Sequence, residues 1–479
     1  MLNTSAVAAL WRANRSAARV PAIEVAPVNR AAVFAIVAMA LMMMSIDSTI
    51  VATALHTIQR DLHTSINWAG WVITAYSFGF VLMLPVSGKL SSQYGHRRVF
   101  LGSVFLFAAA SLGCGLVDNI YALIGLRALQ AAGGAGFTPS ATGIIVDYFG
   151  KARDRAVGLF GSIFPVGTMI GPIFGGLFVS YWSWRDIFFV NVPLGLAVTL
   201  LALRYVPHDR AHRRVPHAGV DLTGLALVGL SLFTAMFAAS YLGEPTSRVA
   251  SVGFLLPLLV AIAAVSLCVW HIRRSRHPFI APRFGYGRGF GAVNLVNVVF
   301  GGVTGGIILL APLYAANRYH IDALGSGTLL IAEGVAAILL SFTVTMALRK
   351  TGYRIPLYVG CLLIAVGTFL LAMPPVAGIP PFGWLAGATF LVGAGGGTIS
   401  PPSRNAGLQL APEQSSTLAA MRSLFNQIGE IATVAVATAI MADTARPGIS
   451  QARIYAVIAV VLVLALPLIA RIPEHRGTW

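Results

Sequence analysis

The chain has 479 residues, of which 57% are hydrophobic and only 10% charged, with a mean hydropathy of +0.79. Soluble domains carry about 25% charged residues, so a row of water-soluble domains is excluded and most of this chain belongs in lipid. The 33 Lys and Arg against 16 Asp and Glu give a net charge of +17. These charges fall in short stretches between apolar runs, which leaves nucleic acid without a continuous basic surface.

A bilayer core of about 30 Å needs about 20 apolar residues in helical form, and fourteen runs of the sequence meet that need. Residues 1–30 carry Arg12, Arg15, Arg19 and Arg30 with no apolar stretch, and read as a cytosolic tail leading into a signal-anchor helix. Runs at 31–54, 68–88, 99–117, 119–146, 157–180 and 187–206 predict an N-terminal six-helix bundle over 31–206. The connections 207–219 and 272–289 are longer and rich in Arg. They bracket runs at 219–241 and 251–271, so 207–289 reads as linker loops with two inserted helices. Runs at 290–316, 324–348, 355–373, 383–401, 414–441 and 452–470 predict a C-terminal six-helix bundle over 290–472, followed by a cytosolic tail at 473–479. Six, two and six helices is the pattern expected of a repeat-built transporter. With the N-terminus inside, cytoplasmic stretches hold 25 of the 33 basic residues and outer loops hold 6. That asymmetry predicts cytoplasmic N- and C-termini in the plasma (inner) membrane, and recasts the basic excess as topology plus attraction to lipid headgroups.

Five charges sit inside the apolar runs: Asp47, Arg127, Glu333, Arg422 and Glu430. Each costs at least about 2.5–3.5 kcal/mol at mid-bilayer, so each is a functional candidate. At a rise of about 1.5 Å per residue, Asp47 lies about 24 Å from the cytoplasmic start of its helix, beyond snorkelling reach. Buried carboxyls hold their protons more firmly and can exchange them with a gradient, as a proton-coupled antiporter requires; the blander alternative is a permanent ion pair between helices. Arg127 fits either role. In the fifth run Gly167, Gly171 and Gly175 recur every four residues and share a face that lets another backbone approach. Pro165 and Pro172 lie in the same run, which reads as a bendable seal between two half-bundles. Gly88, Gly95, Arg97 and Arg98 mark a tight basic turn between the second and third runs. The ten His are scattered, and His56, His96 and His320 read as solvated residues at helix ends. Cys114, Cys268 and Cys361 lie singly in apolar runs, which implies neither disulfides nor a metal site. No phosphate-binding loop, paired-His motif or nucleophile elbow is present. An enzyme is therefore not expected, and no cofactor; the work would come from a proton gradient.

In chain order these motifs resemble the major facilitator superfamily, and within it the fourteen-helix drug:proton antiporter branch of the EmrB/QacA type. Asp47-Ser48-Thr49-Ile50-Val51 is similar to the branch's first-helix motif, and Trp71 to Tyr76 with Pro85 to Leu90 to its second helix and cytoplasmic signature. Arg127 and Gln130 match the fourth-helix motif. Gly167, Gly171, Pro172, Gly175 and Gly176 match the fifth-helix antiporter signature, and Trp184-Arg185 with Ile187 to Pro193 the start of the sixth.

The resemblance implies an all-α integral membrane protein with fourteen transmembrane helices. It implies export of amphipathic, cationic drugs or toxic compounds by rocking-bundle alternating access. Asp47, Glu430 and Glu333 would serve proton and substrate, Arg127 would tune the proton site, and Tyr76, Phe80, Phe164, Tyr314 and Phe425 are candidate substrate contacts. Protons, a small molecule and lipids are the expected partners, and a periplasmic adaptor protein is compatible with the branch. A dedicated exporter of an endogenous lipid, sugar, siderophore or amino acid is the alternative, and a membrane sensor or enzyme a remote one. The chain departs from the family at Ser92, where the signature usually has an Asp that latches the loop in the outward-facing state; its loss would either shift the conformational equilibrium or leave the duty to Asp147. It also departs at His56 for Pro, at Ala131 for Gly, and at Glu333 and Glu430 for small residues.

Overall fold

The computed structural model describes residues 29–149, 153–209, 221–241, 250–275, 285, 287, 289–410, 415–442, 444–472 and 474. Among them all regular structure is helical. The first group comprises α1 (Arg30–Asp61), α2 (Ile66–Tyr94), α3 (His96–Leu116), α4 (Ile120–Gly134), α5 (Phe137–Phe149), α6 (Arg153–Tyr181), α7 (Asp186–Phe189) and α8 (Asn191–Tyr205). Next come α9 (Leu222–Tyr241) and α10 (Val252–Arg274). The last group is α11 (Phe290–Val296), a π-helical turn (Asn297–Gly302), α12 (Val303–Tyr319), α13 (Ala323–Thr351), α14 (Arg354–Ala372), α15 (Pro381–Leu410), α16 (Ser415–Ala442) and α17 (Pro447–Leu464). Twelve helices among the described residues are long and apolar enough to cross a membrane. Two of the fourteen sequence-predicted runs fall outside that set. One is split into α4 and α5 at Ala135–Gly136, and the apolar part of α6 is the shorter helix Val166–Tyr181. The linker stretches 210–220 and 276–284, with most of their arginines, lie outside the described residues.

Helix starts follow from local chemistry. The side chains of Asn29, Ser65, Asn119 and Asp322 each accept a hydrogen bond from a first-turn backbone N–H, satisfying donors that lipid cannot. Several helices outrun their apolar stretch: α1 continues to Asp61, α2 to Tyr94 and α15 through Pro401 and Pro402 to Leu410. Charge and proline mark where lipid ends, while the helix itself persists wherever neighbours satisfy its backbone.

The exterior is apolar, unlike that of a soluble protein, and the mainly apolar interior also holds buried polar groups. Phe105, Phe342, Met346 and Leu464 are exposed on the outside, while Asp47, Arg127, Gln130, Asn191 and Gln451 are buried. One apolar cluster draws only on residues 33–206 and two only on residues 293–472. Two more join these groups, one through Ile50, Leu309 and Val434, the other through Trp71, Met236, Ile431 and Ala435. Helix α9 is pinned beside α2 by Ser240, whose carbonyl accepts from Asn67 Nδ2 at 2.8 Å and whose hydroxyl bonds both Asn67 and Trp71.

Helix α6 runs unbroken between two neighbours. Gly167, Gly171 and Gly175 lie against Ser45, Thr49 and Thr53 of α1, two four-residue ladders in register. An adjoining face, one residue further round the helix, meets α13: a Cβ on Gly176 would lie 2.7 Å from Ala323 O, and Gly327 abuts the Pro172 carbonyl. The shared Gly face thus belongs to the packing of α6 on α1, and the contact with the second group falls to Pro172 and Gly176. A methyl at Gly171 would run into the Thr49 hydroxyl and sit 2.7 Å from Ile46 O, whereas one at Gly102 meets nothing within 4 Å. Gly171→Ala is therefore expected to cost about 1–3 kcal/mol by overpacking, while Gly102→Ala is neutral or slightly stabilising. Thermal unfolding of the two variants in detergent checks the contrast.

Candidate functional site

Asp47 stands on α1 with its carboxylate inside the first helix group, buried like its partners. Arg127 Nη1 donates to Asp47 Oδ2 at 2.7 Å and to Gln130 Oε1 at 2.6 Å. Gln130 Nε2 donates to Asp47 Oδ1 at 2.9 Å, and Asn191 Nδ2 donates to the same oxygen at 2.8 Å. Ser111 on α3 closes the cluster, its hydroxyl accepting from Gln130 and, at 3.2 Å, from Asn191. The guanidinium lies over the Tyr76 ring, 4.2 Å from its centroid, with Phe188 at 5.5 Å on another side. Arg127 and Gln130 are adjacent on one face of α4 because they are three residues apart. Asn191 reaches in because it opens α8 after the short turn α7. The carboxylate thus has a charge partner and two amide donors, and the arginine has π-faces that accept its charge.

Glu430 lies elsewhere, on α16 where it meets α2 and the π-helical turn. Ser77 Oγ of α2 donates to its Oε1 at 2.9 Å, and Gln427, with its amide nitrogen turned inward, donates to both oxygens at 3.2 and 3.0 Å. Glycines make this room: a Cβ on Gly305 would lie 2.9 Å from Glu430 Oε2, and one on Gly302 only 2.6 Å from the Gly429 Cα. π-Helical turns recur at functional sites. Glu333 on α13 has no hydrogen bond or ion pair among the described residues, and its carbonyl is packed against Gly393 of α15. Asp47 and Arg127 are therefore brought together, while Glu430 and Glu333 each stand apart.

The basic turn between α2 and α3 is held by a residue that the sequence did not flag. Asp209 accepts from the backbone N–H of Arg97 at 2.7 Å and of Arg98 at 3.2 Å, capping α3 from 112 residues away. Gly95 has φ +101°, and a Cβ there would collide with Asp209. Arg97 Nη2 donates to Leu203 O at 2.8 Å, tying the same turn to α8. Asp147, expected to replace the missing signature acid, instead faces His96 at 3.9 Å, and His96 Nδ1 is bonded to Ser91 at 2.7 Å. His96 is thus an engaged side chain rather than a solvated one. His56 and His320 line a cavity of about 310 Å³ between α1, α12 and the start of α13, together with Arg60 and Asp322. A Cβ on Gly88 would lie 3.9 Å from the Pro139 side chain of α5, an ordinary packing contact. Among the aromatics, Tyr76 belongs to the Asp47 cluster, Phe80 packs in the first core, and Tyr314 donates to Leu371 O at 2.7 Å as a packing residue. The Phe164 side chain lies outside the described residues.

Asn191, Ser111 and Asp209 were the omissions. Asn191 and Ser111 are polar residues in apolar runs, and Asp209 is the one acid in the basic stretch 207–219, so each carried a faint signal.

A polytopic helical fold with a buried ion pair inside one helix group is the architecture of an integral membrane protein. Residues 37–434 match the Major Facilitator Superfamily, and the chain belongs to that family of multi-pass membrane transporters. It is 30% identical over 396 residues to the Multidrug resistance protein B homolog of Mycobacterium tuberculosis, a match covering 82% of this chain and 72% of that one. It is 31% identical over 333 residues to the Tetracenomycin C resistance and export protein of Streptomyces glaucescens, covering 69% of this chain but only 61% of that protein. Among solved structures, the xylose transporter XylE from E. coli in an inward open conformation superposes with a TM-score of 0.62 at 12% identity, covering 93% and 97% of the two chains. A bacterial homolog of the human lysosomal transporter Spinster gives 0.62 at 15% identity. At such identities these structures speak for the fold alone.

The two members of the ion pair differ in what they can do when separated. A carboxylate that loses Arg127 keeps Gln130 and Asn191 and can take up a proton; a guanidinium that loses Asp47 stays charged. Asp47→Asn is expected to cost about 3–5 kcal/mol, Arg127→Gln less, and the double variant less than Asp47→Asn alone. Unfolding titrations of the three proteins in detergent check that order. Asp209→Ala should cost about 1–2 kcal/mol, the value of a helix cap, and speed hydrogen exchange at Arg97 and Arg98 while sparing the Asp47 cluster.

Proposed function

We propose that the chain is a proton-coupled antiporter that exports amphipathic, cationic compounds across the cytoplasmic membrane. The observation that carries this reading is the buried Asp47–Arg127 pair, an acid enclosed with its counter-charge where only a proton can replace it. The resistance and export proteins among its relatives support the substrate class. In this reading α4 with α5 and α6 complete fourteen crossings, the helices divide six, two and six, and both termini face the cytoplasm. The groups 31–206 and 290–472 rock against each other about α6 and α13 on one side and α2 and α16 on the other. Contacts across these seams fall towards one end: Gly70 against Thr438, and Gly176 against Ala323 and Leu324. The distribution of basic residues assigns that end to the outside, which makes this state inward-facing.

A proton reaching Asp47 removes the charge that holds Arg127, Gln130 and Asn191 on its two oxygens, and so loosens α1 from α4 and α8. Asp47 takes up one proton and becomes neutral, which leaves the pair with the single positive charge of Arg127, already seated over the Tyr76 ring and free to be solvated in the opened cavity. Glu430 and Glu333 supply counter-charge for a cationic substrate. No resident cofactor enters; protons, the exported molecule and surrounding lipid are the partners.

In proteoliposomes loaded with an ethidium-like dye, an imposed pH gradient should speed dye movement several-fold through the intact protein. Asp47→Asn should abolish the gradient-dependent part, and Glu430→Gln should slow cationic dye while leaving proton movement through Asp47. Dye movement indifferent to the gradient would end the antiporter reading.

A further inference from the structure

Of the five intramembrane charges, Arg422 has no part in the reading above. It lines an open cavity of about 150 Å³ between the π-helical turn, the start of α12, α15 and α16, with Asn297, Thr304, Ser400, Ser403 and Asn426 as its polar walls and Phe300 as an apolar one. Arg422 Nη2 donates to Ser400 Oγ at 3.0 Å, and its Nε has no partner among the described residues. Among the described residues no carboxylate lies within ion-pair distance of it, and the charge acting on it from α15 is Arg404, of the same sign. The Asn426 amide oxygen also lacks a partner. Gly301 makes room for that amide, since a Cβ there would collide with it.

A pin between α15 and α16 needs only a neutral hydroxyl or amide. An arginine cannot shed its charge, and holding one at the start of the apolar span beside another cation, with a single serine as hydrogen-bond partner among the described residues, carries a cost. Such a cost is retained where the guanidinium fork meets an oxyanion, for which carboxylate is the planar two-oxygen match. Arg422, Asn426 and Glu430 follow one another every four residues and so share a face of α16. At about 1.5 Å per residue Arg422 and Glu430 are about 12 Å apart along it. One face of one helix therefore presents a cation and an anion at the separation of the two ends of a drug-sized molecule.

We propose that this cavity binds the carboxylate of an amphoteric substrate whose cationic end is directed at Glu430. The assignment rests on the exporter reading and narrows it, from cationic compounds to those carrying an acid as well.

The test uses the full chain in nanodiscs and two fluorescent probes, a rhodamine with a free carboxylate and its methyl ester, a cation with the same rings. The intact protein should bind the acid about tenfold more tightly than the ester, the scale of a hydrogen-bonded charge. Arg422→Gln should bring the acid down to the affinity of the ester and leave the ester unchanged; Arg422→Lys, which keeps the charge but not the fork, should retain part of the preference. Equal binding of both probes by the intact protein overturns the proposal without need of any variant. So does an equal weakening of both by Arg422→Gln, which marks a structural pin. Loss of the preference when phosphatidylglycerol is added to the nanodiscs assigns the cavity to a lipid headgroup instead, and overturns it too. Acid preference in binding with neither probe moved in proteoliposomes removes the exporter reading and leaves the carboxylate site standing.

Discussion

The interaction on which the first helix group depends is the enclosure of the Asp47 carboxylate. In lipid no water stands by to replace a missing donor, so a buried acid must be met by protein on both oxygens. Here the donors come from two helices other than its own, with Arg127 and Gln130 on α4 and Asn191 on α8, while Ser111 on α3 orients both amides. Helices α1, α3, α4 and α8 are fixed relative to one another by that requirement more specifically than apolar contact could fix them, since lipid tails are as apolar as the helix faces.

The other side of α1 is organised by size rather than charge. Ser45, Thr49 and Thr53 meet glycines of α6, and an adjoining face of α6 meets α13 through Pro172 and Gly176. Helix α6 therefore links α1, which carries Asp47, to α13, beside the apolar cluster in which Ile50 of α1 joins Leu309 of the second group. The matching seam at α2 and α16 carries Glu430 bonded to Ser77, which places this acid at a contact between groups. The cytoplasmic turn adds a third tie: Asp209 clamps the start of α3 to the end of α8, keeping one group a single rigid piece at its end.

What the sequence determined by itself follows from bilayer thickness and the cost of charge. The spans near 99–117 and 355–373 are reproduced within a few residues by α3 and α14, because about 20 apolar residues leave little choice of structure. Asp47 and Arg127 were legible as a candidate pair because a charge in an apolar run demands an explanation, and the spacing of Gly167, Gly171 and Gly175 was legible as a contact face. Only the tertiary structure decided who met whom. It put Asp47 with Asn191 across 144 residues, Glu430 with Ser77 across 353, and the N–H groups of Arg97 and Arg98 with Asp209 rather than Asp147. It also decided that the run at 119–146 breaks at Ala135–Gly136, where α3 packs too closely for a side chain, and that α11 passes into α12 through a π-helical turn pressed against Gly429. Periodicity along one helix reports which face is apolar or small. Which helix will cover that face depends on contacts between segments hundreds of residues apart, and these carry no local sequence signature.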